Sequence, residues 1–236
     1  MTMKNTSIYK FAKSSYLSCV HFVCDAKRRP WINPLKNKLL NLNFGGKIQS
    51  INKLSIISSN CFAGRIMQDI GMQYNSPTLG LYFMYPDYIE FLKELQYYLK
   101  EAKIEFVEHS KYPIGNERRA AWSHWYPIGL LGGKVEIHFL HYYSEKEAAE
   151  KWYRRAKRVN FDNLLIVGMQ QNLCTEKDII DFDSLPFENK IMFSTLPLPL
   201  ESNEYMPEFG NSDSVGDPYR KGHVFYRHLI SHFNIQ

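Results

Sequence analysis

Residues 54–71, LSIISSNCFAGRIMQDIG, open on a short apolar run and close with helical periodicity. Leu54 to Ser58 predicts a buried strand, and the residues after Cys61 predict a helix to about Ile70 that Gly71 can terminate. Between them, Ser58, Ser59, Asn60 and Cys61 make a turn. In a parallel α/β sheet, ligands collect where strand C-termini meet helix N-termini, because free backbone N–H groups and the helix dipole favour negative charge there. This one stretch therefore predicts both an α/β fold and the place of its site.

The same alternation continues along the chain. LGLYFM (79–84) predicts a second strand, and YPDYIEFLKELQYYLK predicts a helix with Asp87 and Glu90 in capping-box positions. Its apolar residues Tyr88, Phe91, Leu92, Leu95 and Leu99 share one face. KIEFV (103–107) reads as a short strand, and residues 112–133, rich in Arg, Trp and Gly, read as a long functional loop. KVEIHFLHYY (134–143) is a strand, feeding a helix over SEKEAAEKWYRRAKRV with Ser144 and Glu147 at its start. NLLIVGM (163–169) and KIMFST (190–195) are strands, separated by a short helix capped by Thr175 and Asp178. The expectation is an α/β fold of three layers, with a largely parallel sheet, helices on both faces and a basic N-terminal arm.

Charge divides the chain further. Residues 1–53 hold ten Lys or Arg against the single acid Asp25, whereas the remainder holds 19 basic and 23 acidic side chains. Aromatic and aliphatic residues interleave with the lysines of the arm, a composition suited to an anionic membrane surface. An acidic main body without a reader motif argues against nucleic acid as a partner. The chain divides into the arm (1–53), an α/β core (54–195), and a segment rich in Pro and acids with a final helix (196–236), of which 196–222 reads as surface loop. The longest apolar N-terminal run is too short to cross a bilayer, and Cys19, Cys24, Cys61 and Cys174 have no CxxC or framework spacing. A cytoplasmic location is expected, peripheral at the inner face of the membrane, with no metal centre.

Several residues could carry chemistry. Cys61, near a helix start, would be a nucleophile with a depressed pKa if exposed, or else a small buried hydrophobe beside a capping Ser59 or Asn60. His138 and His141 fall on opposite faces of a regular strand, so they make a poor metal pair, but either one at the strand end could be a general base. Asp162 could orient such a histidine. Asp181–Phe182–Asp183 has the DxD form that glycosyltransferases use for metal and sugar nucleotide, yet it ends a helix, which counts against that use. Glycine fingerprints, GxSxG and HExxH are absent.

Taken together, SSNCFAGRIMQDIGMQYNSPTLGLYF, WYPIGLLGGKVEIHFLHYYSEKEAAEKWYRRAKRVNFDN and FDSLPFENKIMFS resemble a bacterial family known as domain of unknown function 1919, whose members are commonly labelled exopolysaccharide (capsule) biosynthesis proteins. The resemblance spans about residues 54–195. It carries over onto Ser59, Asn60, Cys61, Ser76, Pro77, Thr78, His138, His141, Trp152, Arg155, Arg158, Asn160, Asp162 and Asn163, with departures at Phe62–Ala63 and at Gly132–Gly133 before Lys134.

What the resemblance implies is a context, the assembly of capsule or exopolysaccharide, with a chemistry the family does not establish; the leading expectation is a transferase that modifies a polysaccharide or its lipid-linked saccharide precursor. Acyl transfer is the first expectation, with Cys61 paired to His138 or His141, and with Asn60 and backbone N–H groups as oxyanion donors. Glycosyl transfer is the alternative, with Ser59, Ser76, Thr78 and Arg155 contacting the phosphates. The donor is accordingly acyl-CoA or a nucleotide sugar. A third reading is a non-catalytic carbohydrate-binding partner whose Trp122 and Trp125 form a stacking surface. Asn163 completes the residues expected to contact substrate.

Overall fold

The computed structural model describes residues 53–69, 72–210 and 212–234. The basic arm, apart from Lys53, lies outside them. In chain order the elements are β1 (Ser55–Ser58), α1 (Phe62–Asp69), α2 (Tyr85–Lys93), α3 (Leu95–Lys100), β2 (Ile104–Val107), α4 (Pro113–Ala121), β3 (Ile128–Leu131), β4 (Val135–His138), α5 (Glu145–Ala156), β5 (Leu164–Met169), α6 (Glu176–Asp183), β6 (Lys190–Ser194), β7 (Asn203–Tyr205) and α7 (Gly222–Asn234).

The strands form two sheets. β1, β5, β6 and β7 lie in that order and are all parallel, with Ile57 opposite Ile166 and Val167 opposite Ile191. Successive side chains point to opposite faces. Ile57, Ile166 and Met192 accordingly join one apolar cluster with Tyr88, Ile179 and Phe182, whereas Ile56, Leu165 and Phe193 join another with Phe62, Phe225 and Leu229. A strand that is apolar on both sides, such as LLIVGM in β5, is stable only between two such clusters.

β2, β3 and β4 form a separate antiparallel sheet, which corrects the expectation of one largely parallel sheet. The cause is local. Gly132 and Gly133 have φ of +61° and +69°, and Lys134 N–H bonds to the Leu131 carbonyl, so the chain reverses at once in the primed type of turn that matches strand twist.

Other expectations change as well. Residues 79–84 are not a strand: Gly80 takes φ +72°, and only Tyr82 pairs, as a single bridge to His138, while Phe83 N–H reaches the Ser59 carbonyl. This segment thereby ties the two sheets together. The helix over 85–100 is interrupted at Glu94, and its N-cap, Met84, makes no side-chain cap bond. Asp87 instead turns inward to Lys111 Nζ (2.7 Å) and the Glu136 N–H (3.1 Å). The supposed long loop at 112–133 contains α4 and β3. Residues 196–222 supply β7 and bury Met206, Phe209 and Val215. The helix expected after Ser144 forms, with Ser144 Oγ accepting from Glu147 N–H, and Thr175 with Asp178 completes a reciprocal capping box. Among the described residues, no helix is long and apolar enough to cross a membrane.

Candidate functional site

The turn after β1 is closed by its own side chains. Asn60 Oδ1 accepts from Phe62 N–H at 3.0 Å, and Ser58 Oγ accepts from Ala63 N–H at 3.0 Å. The first N–H groups of α1 are therefore already bonded, and an anion would have to displace both partners. Asn60 Nδ2 is also occupied, by Gln171 Oε1 at 2.9 Å and Met169 Sδ at 3.0 Å. Expected as an oxyanion donor, Asn60 stands as a bracket between the ends of β1 and β5.

Beside this bracket, at the C-terminal edge of the parallel sheet, lies a cavity of about 810 Å³. Cys61 lines it, but the thiol is buried and donates to the Leu81 carbonyl at 3.4 Å. Burial, reinforced by nearby Asp217, pushes its pKa up to about 12, opposite to the depression a nucleophile needs. His141 also lines the cavity and is open to solvent. Partial burial of the ring, with His124 nearby, lowers its pKa and favours neutral imidazole. Its ring makes no hydrogen bond to another described residue, and Trp122 packs edge-on against it at 6.3 Å.

His138, by contrast, is fully buried and does not reach the cavity. Its Nε2 lies 2.7 Å from Glu136 Oε1. Glu136 also accepts from Ser110 Oγ and from Lys111 N–H at 2.8 Å. Burial alone would raise the Glu136 pKa, but the bonds from His138, Ser110 and Lys111 together hold it below the usual carboxylate value. The Tyr82 hydroxyl comes within 3.1 Å of His138 Nδ1, but the two rings are stacked at 13° with centres 4.4 Å apart. That places the oxygen over the ring face rather than in the plane of the nitrogen lone pair. His138 thus belongs to a buried polar network, against the expectation of a general base.

The other expected residues separate. Ser59, Ser76 and Thr78 are buried and outside the cavity lining; Thr78 Oγ1 accepts from Ser58 N–H and meets Ser76 Oγ, fixing the 72–79 segment to β1. Asp162 and Asn163 precede β5, where the Asn163 carbonyl accepts from Ser55 N–H. They sit at the opposite end of the sheet, roughly 16 Å of strand away from the cavity, so Asp162 cannot orient His141. Asp181 and Asp183 are used locally, by Lys177 and by Ser202, while Phe182 packs in the core. Trp125 lies in a second, smaller cavity.

Arg155 is where the expectation and the cavity coincide. It is 9% exposed and donates to the Tyr142 hydroxyl at 2.6 Å, and its guanidinium lies 5.5 Å from the Tyr74 ring centre. Arg118 joins it from α4, bonded to Asn172 Oδ1 at 2.7 Å and lying 5.0 Å from the Tyr82 ring centre. Neither arginine has a carboxylate within 4 Å among the described residues. Lys151 adds a third cation, paired with Glu147 at 2.5 Å, and Asp217 is the one carboxylate in the lining among the described residues. Asn172 and Leu173 turn the chain there with φ of +52° and +68°, a costly conformation for non-glycine residues and one that aims the Asn172 side chain at Arg118.

Arg118, Lys151, Tyr82, Asn172 and Asp217 were missed by sequence reasoning. Arg118 sat inside a stretch read as a functional loop, of which only the tryptophans were singled out for a role, and Asp217 inside one read as surface loop. No local signal joined them to the cavity.

An aromatic, cationic crevice thus lies at the strand ends of an α/β fold. The chain belongs to the family described as domain of unknown function (DUF1919), which matches residues 36–235. It is also similar to an uncharacterized protein of Haemophilus influenzae, 38% identical over 165 residues that cover 70% of this chain and 73% of that protein.

Proposed function

We propose that the chain is a transferase of exopolysaccharide or capsule assembly, and that its cavity takes a nucleotide sugar. The observation that carries this reading is the near-complete burial of Arg155 in a cavity that Arg118 also lines, with no carboxylate within 4 Å of either among the described residues. Burying an unpaired guanidinium costs several kcal/mol, so such a site is best completed by an anionic ligand. A diphosphate fits the planar forks of two arginines, and Tyr74, Tyr82 and Trp122 offer flat surfaces for a base or a sugar ring.

The chemistry follows from what faces the cavity. An acceptor hydroxyl attacks the anomeric carbon; the new glycosidic C–O bond forms as the C–O bond to phosphate breaks. The electron pair leaves on the phosphate oxygen, where Arg118 and Arg155 stabilise it. His141, unbonded and biased toward neutral imidazole, takes the hydroxyl proton. Acyl transfer through Cys61 is the weaker reading because the thiol is held protonated. The composition of residues 1–53 supports work at an anionic membrane face, where lipid-linked precursors are assembled.

Thermal denaturation with UDP, GDP and their sugars tests the reading. A ligand that binds only the native state at one hundred times its Kd stabilises by about 2.7 kcal/mol, a shift of several degrees. A rise with one nucleotide diphosphate, lost in Arg155→Met, supports the reading; no shift with any of them removes it. A shift with acetyl-CoA alone returns the reaction to acyl transfer.

A further inference from the structure

Beyond the donor cavity, and on the far side of Trp122, lies a second cavity of about 590 Å³. Its floor is aromatic and unusually open: Trp125 is 52% and Trp122 38% exposed, and neighbouring Tyr143 is 71% exposed. These rings are fixed rather than loose. Arg119 lies 5.0 Å from the Trp125 ring centre and donates to the Glu108 carbonyl at 2.6 Å. His124 stacks on Tyr143 with ring centres 4.6 Å apart and is placed by Nε2, 3.1 Å from the Leu140 carbonyl. Large aromatic surfaces held rigidly in water are a cost to a protein unless something covers them.

We infer that this platform is the acceptor subsite, and that its ligand is a neutral oligosaccharide lying across Trp125 and Trp122. The inference builds on the saccharide-transferase reading above. Three observations select this occupant. A pyranose ring has an apolar C–H face and a hydroxyl rim, so it matches a flat indole bordered by polar side chains. Among the described residues the platform holds one carboxylate, Glu108, and one guanidinium, Arg119, which balance in charge and suit a neutral ligand and not an anionic membrane surface. Trp122 lines both cavities and sits against His124 on one side and His141 on the other. A saccharide on the platform therefore ends at the imidazole that receives its proton.

The test is a glycan array carrying neutral and acidic bacterial oligosaccharides, probed with the full chain, followed by tryptophan-fluorescence titration with the best-retained neutral glycan. Vesicles of phosphatidylglycerol and phosphatidylcholine run in parallel. The inference expects retention of a neutral glycan, about tenfold weaker binding in Trp125→Ala, the loss of one aromatic contact, and binding kept in Trp125→Phe. It is overturned if no neutral glycan is retained, if Trp125→Ala binds as the unaltered chain does, or if only the vesicles change the fluorescence. The nucleotide-induced melting shift, measured on the same Trp125→Ala protein, reports the donor cavity separately. A lost glycan signal with a retained nucleotide shift supports the platform, and glycan binding without any nucleotide shift rejects the donor reading alone.

Discussion

Arg155 donates to the Tyr142 hydroxyl at 2.6 Å, and that hydroxyl donates in turn to the Leu79 carbonyl at 2.6 Å. One bond thus holds the guanidinium against a rigid buried phenol at the wall of the cavity. The arrangement fixes orientation without supplying a counter-charge.

Replacing Arg155 should separate stability from binding. Arg155→Met keeps most of the side chain's packing and removes the unpaired charge, so the unliganded protein is expected to melt at the same temperature or higher. The nucleotide-induced shift is expected to vanish. Arg155→Lys should not restore it, because a point charge cannot bond Tyr142 and a phosphate in one plane. Calorimetric melting curves with and without nucleotide check both outcomes.

Cys61 should be inert. A thiol with a pKa of about 12 is thiolate to roughly one part in ten thousand at pH 8. Iodoacetamide should label Cys61 only after denaturation, as read by mass spectrometry of the tryptic peptide, and Cys61→Ser should retain nucleotide binding. Rapid labelling of the native protein would contradict the burial described above.

Glu136 should govern part of the acid response. A carboxylate whose folded pKa is depressed contributes stability that is whole above its unfolded value, near 4.5, and lost as pH falls through the folded value. Asp87, raised by burial despite its bonds to Lys111, acts in the opposite sense, costing stability as pH rises past its ordinary value of 3.8. Glu136→Gln is expected to cost about 2–4 kcal/mol at pH 7, because it breaks a buried, fully bonded group. The gap from the unaltered protein should narrow in urea titrations below pH 4.5. A constant gap would mean that Glu136 does not titrate with folding.

Gly115 should tolerate no side chain. A Cβ there would stand 2.5 Å from Ser110 Oγ and 2.9 Å from His138 Cε1, so Gly115→Ala must push α4 off the Glu136 network. An overpacked site of this kind costs about 1–3 kcal/mol, measurable as a lower urea midpoint. Because α4 carries Arg118, weaker nucleotide binding should accompany the loss.

The sequence was most legible where period and capping agreed. LLIVGM in β5 and the Ser144 and Thr175 helix starts could be read directly, since each signal is local. α4 could not: its nine residues bury only Gly115 fully, and it is held by long-range ties such as Arg118 to Asn172. β7 was hidden for a related reason, because three residues paired to β6 leave almost no pattern in a stretch full of Pro and Glu. In the site, Arg155 and His141 were read as candidates and both face the cavity. Asp162 was misplaced because the residues before a parallel strand lie at the wrong end of the sheet. His138 was misread because alternation along β4 gives its face but not what lies opposite. Glu136, two residues earlier on the same strand, shares that face, but only the fold brings Ser110 and Lys111 to its carboxylate.

The segment that ends in Tyr219 is fastened at several points: Gln171 Nε2 donates to the Val215 and Gly216 carbonyls, Val215 N–H reaches the Gln170 carbonyl, and the Tyr219 hydroxyl meets the Cys61 carbonyl. Nearly all of these ties run through backbone atoms. Tyr219 is the exception, held by its own hydroxyl, whereas Ser214 lines the cavity from a stretch anchored by backbone atoms on either side. On the nucleotide-sugar reading proposed above, an exchange at Ser214 would alter which sugar the cavity admits while Arg155 stays in place.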